Sequence, residues 1–236
     1  MQFQTPLIAA TLIRRYKRFL TDITLPDGVE VTAHCANPGA MTGLMDQGAR
    51  IWVEQNHDPK RKLKFSWKLI ELANTHWACL DTALPNKLVA EALREGKIPE
   101  LRGYSNVRPE VKYGENSRID FLLQEPSRPD TYVEVKAVTL QRAPGLAEFP
   151  DSVTKRGTKH LYELIEMTRQ GHRAVMLYVV HRTDCGKLAI ATDIDPDYAK
   201  AFAAAHRAGV EMICYGTNIS TISVTLANGL PVTPIE

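Results

Sequence analysis

Cysteine is sparse in this chain of 236 residues: Cys35, Cys79, Cys185 and Cys214 lie far apart, with no C-x-x-C pair. That usage argues against a disulfide framework and a zinc ribbon, and points to reduced thiols in a cytoplasmic protein. No apolar run approaches the ~18 residues of a membrane-spanning helix. Leu7 to Ile13 is briefly apolar, but a basic cluster follows it, the reverse of signal-peptide order. No G-x-x-x-x-G-K-[ST] loop is present, so no P-loop site is implied. A surplus of one charge is missing too: 29 Lys and Arg against 27 Asp and Glu leave +2 at pH 7 and a pI near 8.3. A polyanionic partner would therefore have to be met by local clusters and not by the field of the whole chain. His34-Cys35 has no second His or Cys at ligand spacing and reads as a turn-side histidine beside a buried thiol. The length suits one or two domains with a real core.

What the chain does have is the stretch Ser117 to Val138, SRIDFLLQEPSRPDTYVEVKAV. Two strand-like apolar runs, Arg118 to Leu123 and Thr131 to Val138, flank a linker, Gln124 to Asp130, with two prolines and turn chemistry. Strand side chains alternate, so Glu134 and Lys136 share a face and Val133, Val135 and Ala137 take the other. A hairpin brings Asp120 beside Glu134, and two adjacent carboxylates call for a cation between them. Oxygen ligands of this kind suit Mg²⁺ or Mn²⁺, with the Val135 carbonyl as a further oxygen. Asp120 followed by Glu134-Val135-Lys136 looks like the PD-(D/E)xK nuclease motif, with Ile119 where proline usually stands. Lys136 would then act on a phosphate or a water. The bland alternative is a salt bridge on a surface hairpin.

Upstream, short strands with turns between them predict a small β-barrel. Phe19 to Leu25 and Val29 to Ala33 form a hairpin about Pro26-Asp27-Gly28, Arg50 to Gln55 alternates as a strand, and Leu69 to Leu80 supplies one or two more. Two basic clusters lie here: Arg14, Arg15, Lys17 and Arg18 with Tyr16 and Phe19, and Lys60, Arg61, Lys62, Lys64 and Lys68 with Phe65 and Trp67. Cations neutralise phosphates and aromatic rings stack bases or fill the barrel; Phe19 and Phe65 are assigned to the core. Pro85-Asn86 marks a boundary between domains 1–84 and 85–236. Asn86 is placed as the cap of a helix Lys87 to Glu95, and Glu91 on that helix is a candidate third acid. Strand Asn106 to Tyr113, a loop Gln141 to Pro150, a helix from Asp151 or Ser152 to about Gln170, and strands Arg173 to Val180 and Leu188 to Ile194 follow. Asp195 caps a helix Pro196 to Ala208, and strands Val210 to Tyr215 and Ile219 to Leu226 close the chain. Helix, three strands, helix, strand is the core order of a restriction-endonuclease-like mixed sheet. Lys155, Arg156, Lys159 and His160, near the start of the second helix, are candidate phosphate contacts.

The segments RYKRFL (Arg15 to Leu20), HCANPGAM (His34 to Met41), KYGENSRIDF (Lys112 to Phe121), EVKAVTL (Glu134 to Leu140) and FPDSVTKRGTKHL (Phe149 to Leu161) resemble the bacterial sugar fermentation stimulation protein A family. The resemblance implies a two-domain α+β or α/β protein, an OB-type barrel followed by a nuclease-like domain. It also implies non-specific DNA binding and a link to maltose metabolism. Three readings stay open: a metal-dependent deoxyribonuclease using Asp120, Glu134 and Lys136, a DNA-binding regulator with an inactive nuclease-like fold, and a single-strand or RNA-binding OB module.

Overall fold

The computed structural model describes residues 1–114 and 117–234. Its first half is built from β1 (Leu7–Tyr16), β2 (Leu20–Thr24), β3 (Glu30–Cys35), β4 (Arg50–Gln55), β5 (Phe65–Glu71) and β6 (Trp77–Cys79). Antiparallel neighbours run β3-β2-β1-β4-β5, and a parallel pairing of His34 and Cys35 with Ser66 and Trp67 closes the ring. That strand order is an OB-type barrel. Closure removes sheet edges and gives each strand one inward face. Leu12, Ile23, Ala33, Ile51, Val53 and Trp67 fill the interior. β5 begins at Phe65, earlier than expected, because Phe65, Trp67 and Leu69 continue the alternation into the basic segment.

The second half opens with α1 (Leu84–Arg94), followed by β7 (Asn106–Tyr113), β8 (Ser117–Glu125), β9 (Arg128–Val138), β10 (Leu140–Ala143) and β11 (Gly145–Phe149). Then come α2 (Lys155–Arg169), β12 (Arg173–Val180), β13 (Cys185–Ile190), α3 (Pro196–Arg207), β14 (Glu211–Ile219) and β15 (Val224–Gly229). The main sheet has the order β15-β14-β12-β9-β8-β7, with β9, β12 and β14 mutually parallel. β12 explains the layering. Met176, Tyr178 and Val180 pack with Leu161, Leu164 and Phe202 of α2 and α3, while Val175, Leu177 and Val179 pack with Val89 and Ala92 of α1. A strand covered on both faces reads as a continuous apolar run, as this one does.

Several expectations need correction. The linker after β8 is only the two-residue turn Pro126-Ser127, since strand pairing persists through Glu125 and Arg128. Gln141 to Pro150 is not a loop: β10 and β11 form a hairpin that joins β13 in a second sheet. The helix expected from Asp151 or Ser152 begins at Lys155, because the Thr154 hydroxyl accepts from Gly157 N–H and sets the cap there. The strand drawn over Leu188 to Ile194 lies at Cys185–Ile190, since its residues pair with β11. Of the last two strands, the first runs on to Ile219 and the second starts at Val224.

The halves are joined by backbone and by a core of their own. Cys79 N–H donates to the His181 carbonyl and Thr183 N–H to the Trp77 carbonyl, so β6 is extended by the chain that leaves β12. Leu7, Leu69 and Cys79 of the barrel are packed against Leu84, Leu88, Ile219 and Val224.

Candidate active site

Asp120 lies where the main sheet opens. Paired register between β8 and β9 ends at Phe121–Val133. On the other side of β8, Glu110 takes a left-handed φ of 55°, and the pairing with β7 passes over Glu110 and Asp120 between Pro109–Phe121 and Val111–Ile119 without a change of register. Beyond that point the Val135 N–H no longer meets a strand carbonyl; it donates to Asp120 Oδ2 at 2.7 Å. The N–H and C=O of a strand residue face the same neighbour, so the Val135 carbonyl looks into the same gap. Asp120 Oδ1 accepts from Asn86 Nδ2 at 2.7 Å. Asn86 was assigned to a cap; it sits inside α1, which starts two residues earlier at Leu84, and it spends its amide on Asp120.

Glu134 is only 2% exposed. Its Oε1 accepts from Lys136 Nζ at 2.7 Å and is hydrogen-bonded to His160 Nδ1. Lys136 Nζ also lies 3.4 Å from His160 Nδ1, while Arg156 Nε donates to His160 Nε2 at 3.3 Å. Glu134 Oε2 is buried and has no partner among the described residues. Burial alone would raise the pKa of Glu134, but the His160 hydrogen bond and the Lys136 charge outweigh it and hold the carboxyl low. For Asp120 the balance is reversed. Burial, and then the Glu134 charge, push it up to about 6 against its two hydrogen bonds. The two acids thus stand close enough to repel each other. Around them, Tyr113 hydroxyl is buried without a partner among the described residues and Glu163 is paired with Lys159 at 3.4 Å. Among the described residues no three His, Cys, Asp or Glu side chains converge to hold a metal by themselves.

The remaining candidates are scattered. Glu91 is not a third acid of this site; its carboxylate takes the amino group of Met1 at 2.8 Å, on a different face of α1 from Asn86. Arg14 pairs with Asp22 at 2.9 Å. Arg15 donates to the backbone oxygens of Arg18, Asn37 and Gly39, so it braces the loop after β3. Lys17 and Arg18 are exposed at the β1–β2 turn. Lys60, Arg61, Lys62 and Lys64 lie exposed between β4 and β5, with Lys64 tied to the Asp58 carbonyl at 2.9 Å. Lys68 is committed to Asp81 at 2.8 Å and Glu54 at 3.4 Å. Lys155 and Arg156 are exposed on the first turn of α2. Phe65 packs against the barrel core, but Phe19 is 46% exposed and does not belong to it. The sequence read Asn86 as a cap and His160 as a candidate phosphate contact, and showed neither as a partner of the two acids. The bond of His160 to Glu134 could have been suspected from its place one helical turn after Arg156, on the face of α2 that looks at β9.

An OB-type barrel followed by a restriction-endonuclease-like mixed sheet defines the class of this protein. Two family models match it: the SfsA N-terminal OB domain over residues 13–80 and the sugar fermentation stimulation protein RE domain over residues 83–223. A sugar fermentation stimulation protein homolog of Jannaschia sp. (strain CCS1) is 61% identical over 235 residues, covering 99% of this chain and 98% of the relative. One from Dinoroseobacter shibae is 62% identical, covering 99% and 96%. The chain belongs to the sugar fermentation stimulation protein (SfsA) family. Its fold is similar to that of Pyrococcus furiosus SfsA, whose structure is described in complex with Ca²⁺, with a TM-score of 0.87, 25% identity, and coverage of 99% and 98%.

Proposed function

We propose that this protein binds DNA without sequence preference and hydrolyses phosphodiester bonds with a divalent cation held by Asp120 and Glu134. The observation that carries the reading is the buried Oε2 of Glu134, unpartnered among the described residues, beside an Asp120 whose ionisation is opposed by burial and then by the Glu134 charge. A cation is what would relieve both. The donor set is all oxygen, which fits Mg²⁺ or Mn²⁺. Two carboxylates and the Val135 carbonyl leave the rest of the coordination to water and substrate, as Mg²⁺ commonly accepts. That a relative is described with Ca²⁺ agrees with an oxygen-lined site. Such an ion supplies a more acidic water and neutralises charge on the phosphate.

The chain's own residues have separable parts in this. Asn86 and the Val135 amide fix the Asp120 carboxylate, leaving its remaining lone pairs free. His160 holds Glu134 Oε1, which turns Oε2 away from itself. Lys136, on the same strand face as Glu134, brings three donors and a positive charge to a phosphate oxygen or to the attacking water. Lys155 and Arg156 add positive charge at the N-terminal end of α2, where the helix dipole favours an anion. The exposed cations at the barrel tips, Lys17, Arg18, Lys60, Arg61 and Lys62, suit the phosphate backbone and carry no base preference. A regulatory role in sugar metabolism, which the names of the relatives suggest, would be the setting for such DNA binding.

The test is cleavage of linear, nicked, branched and single-stranded DNA with Mg²⁺ or Mn²⁺ and with EDTA. Divalent-dependent cleavage that Asp120→Asn abolishes and Lys136→Ala strongly lowers is expected. Cleavage unchanged by either substitution would overturn the assignment.

A further inference from the structure

The β1–β2 turn is built in an unusual way. Lys17 and Arg18 both take left-handed backbone conformations, φ 49° and 64°, which side chains with a Cβ seldom adopt. Strain of this kind persists where the surroundings hold it, often at functional positions. Here it is held by Arg15 Nε on the Arg18 carbonyl at 3.0 Å, and by the Phe19 carbonyl accepting from Cys35 N–H at 2.9 Å. The outcome is a large apolar ring on the outside: Phe19 is 46% exposed, lying parallel to His34 with centroids 6.3 Å and planes 9° apart. Lys17 and Arg18 beside it are exposed, and neither side chain has a hydrogen bond or ion pair among the described residues.

Arg15 ties this turn to the loop after β3. Arg15 Nη2 also donates to the Asn37 and Gly39 carbonyls at 2.7 and 3.2 Å. Asn37 to Gly39 form the barrel wall of a cleft of about 260 Å³ whose opposite wall includes Ala137, Phe149 and Thr154. Ala137 follows Lys136 in β9, and Thr154 caps the helix that carries His160. Gly39 lies so close to Asp151 that any Cβ there would collide with the carboxylate, which sets the wall against the nuclease-like half.

We infer that Phe19, backed by His34 and flanked by Lys17 and Arg18, is a stacking platform for an unpaired base on the barrel, in a turn that Arg15 braces to one wall of this cleft. The substrate class is therefore a single strand, or a strand with an unpaired segment. An exposed aromatic face binds any base by stacking, while adjacent cations take the phosphates on either side. A fully paired duplex offers no free base face to such a ring. The inference deepens the proposed function and rests on its nucleic-acid reading, but not on hydrolysis.

It is tested on the full chain in EDTA, by fluorescence anisotropy with labelled oligo-dT, oligo-U, an abasic strand of equal length and a duplex. Phe19→Ala is expected to weaken dT or U binding roughly 5- to 150-fold, leave duplex binding within twofold and leave the salt dependence unchanged. Phe19→Trp should restore affinity, with indole fluorescence quenched as the strand binds. A Lys17→Ala/Arg18→Ala double variant should weaken both ligands and flatten the salt dependence. The inference is overturned if Phe19→Ala changes single-strand affinity less than twofold, if it weakens duplex and single strand equally, or if the abasic strand binds as tightly as oligo-dT. Because no divalent ion is present, any of these results leaves the hydrolytic reading to its own assay.

Discussion

Replacing Asp120 by Asn should make the metal-free protein more stable at pH 8. In the fold the Asp120 carboxyl is pushed from 3.8 up to about 6, by burial first and by Glu134 second. With the folded value raised, the stability tied to this group is complete below about pH 4 and is lost as the pH rises through 6. The rise corresponds to roughly 3 kcal/mol, all of it absent at pH 8. Asn removes the charge and keeps an oxygen for the Val135 N–H; re-pairing with Asn86 requires that amide to turn, at a cost of about 1 kcal/mol. The net gain is about 1–2 kcal/mol. For a chain of this size that is roughly 2–8 °C in Tm. Thermal unfolding in EDTA at pH 8 and at pH 4.5 reads it: the variant melts higher at pH 8 and the advantage disappears at pH 4.5. Saturating Mn²⁺ should then reverse the order at pH 8, because only the wild type gains binding energy in the folded state. A variant that is less stable in EDTA at pH 8, or whose advantage is equal at both pH values, would refute the electrostatic argument.

Other perturbations address neighbouring parts. Lys136→Ala should lower cleavage by about 10²- to 10³-fold, the usual loss for one transition-state donor, while Mn²⁺ binding by calorimetry persists. His181 is buried, with Nε2 unpartnered among the described residues, and burial depresses its pKa to about 4. The folded value lies below the unfolded one, so stability is present above about pH 6.5 and falls as the pH drops towards 4, by up to roughly 3 kcal/mol. Urea titrations at pH 7 and 5 should show this loss, and His181→Gln should shrink it. Leu88→Ala, in the core shared by the two halves, should cost about 2–5 kcal/mol in chemical denaturation. Tyr178→Phe removes a buried 2.6 Å bond to the Tyr198 hydroxyl and should cost about 1–3 kcal/mol.

Much of this architecture was legible from residue pattern. Arg50–Gln55, Asn106–Tyr113 and Arg173–Val180 are strands with the expected ends, because alternation or an unbroken apolar run leaves little choice. Asp195 followed by Pro196 fixed the start of α3 for the same local reason. Failures came where tertiary pairing overrides local chemistry. Pro144 and Gly145 read as loop residues, yet they form the bend between β10 and β11, whose backbone is satisfied by β13. Asn86 is a good cap by type, but the helix began earlier and the amide was needed by Asp120. Phe19 was assigned inward on hydrophobicity alone, while the left-handed pair before it turns the ring outward. At the site, spacing showed that Glu134 and Lys136 share a face. It could not show that the sheet opens at Asp120, since that depends on the left-handed turn of the backbone at Glu110 in β7 and a break in pairing with β9.

Anomalous diffraction at the manganese edge, from crystals soaked in Mn²⁺, addresses the ion directly. A peak at bonding distance, about 2.0–2.6 Å, from both an Asp120 oxygen and Glu134 Oε2 is the predicted result. Saturating Mn²⁺ that leaves the gap between β8 and β9 without a peak, or gives a peak touching only one of the two carboxylates, would contradict it.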